Sequence, residues 1–164
     1  MEYAGFWIRV AAYIIDYIIL TILIGVLFFI LTAIGVIDFS GMMELATDPS
    51  VQAGGEPDPE AVMAATQGMM RGMGILYLIS FLLIWLYEAL LTSSAMQATP
   101  GKMVFGLRVT TVDGERIGFG RATGRFFGKI VSGAIAYIGF IMVGFTERKQ
   151  GLHDMMASTL VVRA

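Results

Sequence analysis

The chain has 164 residues, of which 57% are apolar and 15% charged, with no cysteine and a formal net charge of −2. Its mean hydropathy is +0.76. This balance excludes an ordinary soluble domain, and the lack of cysteine excludes a disulfide framework or a thiolate metal site. The sequence reads as one all-α membrane domain over residues 1–164. It is expected to hold two transmembrane helices, a third apolar segment that spans or re-enters, and a small cytoplasmic β-hairpin with a C-terminal strand.

The first spanning helix is expected over about residues 8–37. Tyr17 to Ile37 is free of charge over twenty-one residues, enough to cross roughly 30 Å of hydrocarbon. The preceding MEYAGFWIRV has a single basic residue and the apolar run is too long for a cleaved signal, so the segment reads as a retained anchor. In GFWIRVAAYIIDYIIL, Arg9 and Asp16 stand seven residues apart. On a helix they share a face, with Asp16 about 10 Å deeper. A carboxylate at that depth is expensive unless it is paired, protonated or bound to a cation, so it marks a functional polar site. Tyr13, Tyr17, Thr21, Tyr87, Thr92, Ser93 and Ser94 supply hydroxyl oxygens near the same depth or further along the faces, a ligand type suited to hard cations.

Residues 38–71 carry Asp38, Glu44, Asp48, Glu56, Asp58 and Glu60 against Arg71 alone. This acidic loop is expected to be mostly irregular through DPSVQAGGEPDP. Asp58 and Pro59 then read as N-cap and N1 of a short helix through AVMAATQGMM. Its methionines read as packing filler.

The second spanning helix is expected over about residues 72–96. Glu88 is the only charge between Gly72 and Gly101, and it falls on the order of 12 Å from the cytoplasmic end. Asp16 and Glu88 at one level in adjacent helices would repel, share a proton or hold a cation between them, which is the chemistry of ion-for-proton exchange. Thr99-Pro100-Gly101 reads as the end of this helix with Lys102 at the interface, since TPGK is too short for a phosphate loop.

Residues 99–129 carry Lys102, Arg108, Arg116, Arg121, Arg125 and Lys129 against Asp113 and Glu115. By the positive-inside rule this segment and the N-terminus are cytoplasmic, and the acidic loop is external. A β-hairpin is expected over about 103–119, with Asp113-Gly114 as its turn. The β-branched stretch Thr159–Val162 needs a partner for its backbone, and the hairpin is the candidate.

A basic helix and apolar segment follow over about 119–146. Arg121, Arg125 and Lys129 recur at i, i+4 and i+8, which suits side chains that snorkel to anionic headgroups. Arg121 and Lys129 are assigned that role, and Arg125 lies close enough to the apolar run to reach a carboxylate. Ile130 to Thr146 is uncharged over seventeen residues and holds three glycines. A full crossing would strand the tail, residues 147–164, on the wrong side for pairing with the hairpin. A return near Gly133 or Gly139 resolves that conflict, and a plain three-span arrangement is the alternative. His153 lacks a nucleophile or metal-ligand cluster and reads as a structural hydrogen-bonding residue, with a pKa that would suit a pH sensor.

Four pieces, FWIRVAAYIIDYIIL, YEALLTSSAMQATPGKMVFGLRVTTVDG, RATGRFFGKIVS and ERKQGLHDMMASTLVVR, resemble the RDD family of small membrane proteins, named for one arginine and two aspartates. The resemblance covers nearly the whole chain outside the acidic loop. It implies that the family arginine is Arg9, its first aspartate Asp16 and its second Asp154. It also implies a protein of the cytoplasmic membrane, with sodium or other monovalent cation/proton exchange attributed to some members and adaptor roles to others.

The function expected is monovalent cation (sodium or potassium)/proton exchange, by a homo-oligomer because so few helices cannot enclose a pathway alone. Asp16 and Glu88 form the expected exchange site, Arg9 tunes Asp16, and Asp154 holds the cytoplasmic gate. Tyr13, Thr21, Arg125 and His153 support it. The alternative is a non-transporting scaffold that binds lipid or a membrane partner, with Arg9 paired to Asp16 or Asp154 and Glu88 to Arg125 only to lock helices. Partners are membrane lipids, monovalent cations and protons. No cofactor, enzyme activity or nucleic-acid partner is expected.

Overall fold

The computed structural model describes residues 2–135 and 138–163. Two long helices, α1 (Phe6–Ala33) and α4 (Pro59–Ser93), are each long and apolar enough to cross a membrane. They leave large side chains such as Ile14, Ile18, Ile22, Phe29, Leu78, Leu82 and Leu86 exposed, the surface that hydrocarbon requires and water would penalise. The chain divides into two compact units. One comprises residues up to Leu20 together with those from Leu83 on, and the other comprises Thr21–Leu82.

In the Thr21–Leu82 unit, the end of α1 turns through Gly35, whose φ of 74° suits glycine. Leu31, Ile37 and Leu76 form its buried core. Two short helices follow, α2 (Ser40–Thr47) and α3 (Pro49–Gln52). Asp48 caps α3 by accepting from the Ser50 N–H at 2.7 Å. Asp58 caps α4 by accepting from the Glu60 N–H at 3.0 Å, with Pro59 behind it, as the sequence predicts. The expected separate short helix is corrected here. With no proline after Pro59 to stop it, the helix runs unbroken into the apolar stretch, so residues 59–71 are the opening turns of α4. Its 35 residues are about 52 Å long, more than a bilayer core needs.

In the other unit, α4 gives way to α5 (Pro100–Val104), β1 (Leu107–Thr111), α6 (Phe119–Ala134), α7 (Ile138–Ile141), a single 3₁₀ turn (Met142–Gly144), α8 (Leu152–Met156) and β2 (Thr159–Arg163). β1 pairs antiparallel with β2, from Leu107 opposite Arg163 to Thr111 opposite Thr159. The predicted partner of the C-terminal strand is therefore found. The Asp113-Gly114 turn also forms, with the Thr111 N–H donating to the Glu115 carbonyl at 2.8 Å. The hairpin's return arm is reduced to one bridge, Thr110 to Arg116, because Ile117 turns into the core and Gly118 starts α6.

The N-terminus joins the other edge of β2, with the Ala4 N–H donating to the Val161 carbonyl at 2.9 Å. On β1, Gln97 accepts from the Val109 N–H at 2.7 Å and returns its side-chain amide to the Val109 carbonyl. Ala4, Ala12, Ala89, Leu107, Val109, Ile117, Ala122 and Val161 make the core beneath this sheet.

The pieces flanking residues 136 and 137, which lie outside the described residues, are inclined at 116°. Gly133 lies within α6 and Gly139 within α7. A Cβ at Gly139 would stand 2.7 Å from Ser132 Oγ, so the second piece packs directly back on the first. The chain beyond this second piece carries β2, which pairs with β1.

Candidate functional site

Asp16 is buried, and its carboxylate collects three neutral donors. Tyr87 Oη on α4 donates at 2.8 Å, Thr99 Oγ1 at 2.5 Å and the Gly101 N–H at 2.8 Å. The local sequence explains the cradle. Thr99 precedes α5 in an extended conformation and Pro100 fixes its first turn, so the Gly101 amide is unused within the helix and free to point at an anion. A Cβ at Gly101 would clash with the Ala12 carbonyl oxygen and lie 2.8 Å from Asp16 Cγ, so only glycine lets this turn approach α1.

The other two acids belong to a chain of ion pairs. Asp154, fully buried on α8, accepts from Arg9 Nη1 at 2.5 Å through one oxygen and from Arg125 Nε at 2.8 Å through the other. Arg125 Nη1 continues to Glu88 Oε1 at 3.3 Å, and Lys129 Nζ meets the same oxygen. Arg9 also donates through Nε to the Ala4 carbonyl at 3.0 Å and through Nη2 to the Lys149 carbonyl at 2.5 Å. Four elements, α1, α4, α6 and α8, are thus tied by charge-assisted bonds. Burial pushes the Asp154 carboxyl up, but Arg125 and Arg9 outweigh it and hold it well below the usual carboxylate range.

His153 is buried beside this chain. Its Nδ1 lies 3.4 Å from Ser132 Oγ, its Nε2 lies 3.5 Å from Asp154 Oδ1, and its ring packs 5.0 Å from that of Phe140. Burial, and then the charge of Arg125, lower its pKa to about 3. It is neutral at physiological pH, which corrects the pH-sensor option and keeps the hydrogen-bonding role. Ser132 Oγ itself donates to the Gly128 carbonyl at 2.8 Å, which commits its hydroxyl proton within α6.

Lys102 is half-buried and donates to Thr99 Oγ1 at 3.1 Å. Among the described residues it forms no salt bridge. Burial lowers its pKa to about 7, helped by the ammonium of Lys129.

Several expected groupings are rearranged. Of the two partners expected for Arg9, the structure selects Asp154 over Asp16, because the N-terminal strand contact and the Lys149 turn bring α8 against the first turn of α1. Glu88 is held by Arg125 and Lys129, so the two intramembrane acids are separately satisfied. Lys129 turns inward to Glu88 instead of outward to headgroups, while Arg121 remains exposed. Tyr13 is 63% exposed and Thr21 is exposed. Thr99 and Gly101 escaped the sequence reading as ligands of Asp16. The signal was present in Pro100-Gly101, a proline-fixed turn followed by a residue with no side chain.

The sequence profile of the RDD family matches residues 3–158. An uncharacterized protein of Bacillus subtilis (strain 168), YxaI, is 41% identical over 159 residues, covering 97% of this chain and 96% of its own. An uncharacterized membrane protein of the same organism, YteJ, is 30% identical over 167 residues, covering 98% of this chain and 80% of its own. No solved structure matches the chain. A match that runs through Arg9, Asp16 and Asp154, in a chain with two helices able to span a membrane, makes this protein a member of the RDD family.

Proposed function

We propose that the protein exchanges a monovalent cation, sodium or potassium, for a proton at Asp16, in the cytoplasmic membrane and as a homo-oligomer. The observation that carries this reading is that Asp16, unlike Glu88 and Asp154, forms no salt bridge among the described residues. Tyr87 and Thr99 hold it by hydroxyls, which rotate to offer oxygen lone pairs as readily as protons. A cation arriving at Asp16 would therefore find a carboxylate and two hydroxyl oxygens, and a proton would find the carboxylate alone. Glu88 and Asp154 act in this scheme as the rigid frame.

Proton flux into proteoliposomes under sodium and potassium gradients tests it. Wild type should exchange, and Asp16→Asn of matched folding and insertion should not. Unchanged coupled flux in Asp16→Asn overturns the assignment. The ion-pair chain through Asp154 and Glu88 favours a second reading, a non-transporting scaffold whose charges only lock helices, and that reading gains if wild type gives no flux with either ion.

A further inference from the structure

Asp16 and Lys102 form no salt bridge among the described residues, yet a single hydroxyl joins them. Lys102 Nζ donates to Thr99 Oγ1 at 3.1 Å, and Thr99 Oγ1 donates to Asp16 Oδ2 at 2.5 Å. A hydroxyl has one proton, and an ammonium has three donors and no acceptor. While Lys102 is charged, the Thr99 proton is therefore directed onto Asp16 Oδ2. Thr99 is 1% exposed, so solvent offers it no other acceptor.

The second oxygen of Asp16 is held differently. Oδ1 accepts at 2.8 Å from the Gly101 N–H, a donor fixed in the backbone, and at 2.8 Å from Tyr87 Oη. Tyr87 is half-buried, so its hydroxyl proton can turn towards the surface. Oδ2 is accordingly the oxygen left for a cation, and the Thr99 proton covers it. For Thr99 to present its oxygen instead, that proton needs an acceptor within reach, because a buried donor without a partner is costly. A neutral amine at Lys102 is such an acceptor, since it carries a lone pair where the ammonium carries a third N–H.

We propose that Lys102 is the proton carrier of the exchange: it gives up its proton when a cation binds at Asp16, and the Thr99 hydroxyl turns from Asp16 to the Lys102 amine as it does so. This rests on the reading of Asp16 as the cation site and moves the exchanged proton from the carboxylate to the ammonium. The charges balance at one for one. The cation replaces the ammonium as the counter-charge of Asp16, and the proton leaves to water from the half-buried Lys102 side chain. Burial, with Lys129 and Arg125 on α6, opposes the charged ammonium, while Glu88 on α4 and Asp16 on α1 support it, and the balance leaves its pKa at about 7. One further positive charge at Asp16 favours the neutral amine.

Sodium and potassium binding to the purified full-length chain in detergent tests this, by calorimetry with a pH indicator following proton release. At about pH 6.5 wild type should release most of one proton per cation bound, where a carboxyl group of ordinary pKa, about 3.9, has none left to give. Between about pH 5.5 and 6.5 its apparent affinity should rise roughly tenfold, the slope for one displaced proton. Lys102→Gln, whose amide oxygen accepts the Thr99 proton at every pH, should bind the cation with neither proton release nor pH dependence. Lys102→Arg stays charged throughout, so it should lose binding at every pH. Cation binding without proton release in wild type, unchanged release in Lys102→Gln, or wild-type affinity in Lys102→Arg overturns the role of Lys102 and leaves Asp16 as the cation site. No binding of either ion to wild type, or binding that survives unchanged in Asp16→Asn, overturns the Asp16 reading and this inference with it. The wild-type measurements decide by themselves if a variant fails to fold.

Discussion

Arg9 and Asp154 meet at 2.5 Å across 145 residues of sequence, so that the first helix and the last are closed on one another by an ion pair whose carboxylate is fully buried. The pair is useful only as a pair. Removing one partner of a buried salt bridge costs about 3–5 kcal/mol, because it strands the other charge without compensation. Asp154→Asn leaves both Arg9 and Arg125 facing a neutral amide. Its unfolding midpoint in detergent should fall steeply, and a fall of less than about 1 kcal/mol would mean that solvent already screens the pair.

Arginine at position 9 is used as a three-pronged fork, with Nε on Ala4, Nη1 on Asp154 and Nη2 on Lys149. Lysine has the charge and lacks the planar geometry. Arg9→Lys should therefore recover little of the stability lost in Arg9→Gln. Equal stability of Arg9→Lys and wild type would show that charge alone matters there.

Glycines 101 and 120 make a controlled comparison. A methyl group at Gly101 meets the Ala12 carbonyl and Asp16, whereas nothing lies within 4 Å of the corresponding position at Gly120 in α6. Gly101→Ala should destabilise by about 1–3 kcal/mol through overpacking, and it should also abolish exchange if Asp16 is the site. Gly120→Ala should be neutral or stabilising by about 0.5–1 kcal/mol, as alanine is the better helix former. Chemical denaturation of the two variants side by side reads the difference directly.

The parts of the fold that were legible in the sequence are those written in local periodicity and composition. The charge-free run after Asp16, the Asp58-Pro59 start and the Asp113-Gly114 turn each depend on residues within a few positions of one another. The β1–β2 pairing was legible because Thr159–Val162 needed backbone partners. The Arg9–Asp154 and Arg125–Glu88 pairs were legible only as one alternative, because Arg9 also had Asp16 on its own helix face; the links that join them into a chain, Arg125 to Asp154 and Lys129 to Glu88, were not. Lys129 misled for a similar reason. A basic stripe on an amphipathic helix has the same spacing whether its last member faces lipid or a carboxylate, and only the position of Glu88 on α4 decides. Residues 59–71 were legible as a helix but not as part of the second span, because nothing in their own composition shows that the helix continues into the apolar run.

Histidine 153 gives an acid-side prediction. Its pKa falls from the ordinary 6.5 to about 3 in the folded state, so between those values the unfolded chain binds a proton that the folded chain does not. Stability should then rise with pH from about 3 to 6.5 and be independent of this group above that. His153→Gln should lose that rise. An unchanged slope in the variant would show that His153 is protonated in place.

Lysine 102 acts in a higher window. Its pKa falls from 10.5 to about 7 on folding, with Lys129 and Arg125 on α6 opposing its charge and Glu88 and Asp16 supporting it. From pH 7 to 10.5 the unfolded chain holds the extra proton, so stability should climb with pH through that range, and Lys102→Gln should flatten the climb.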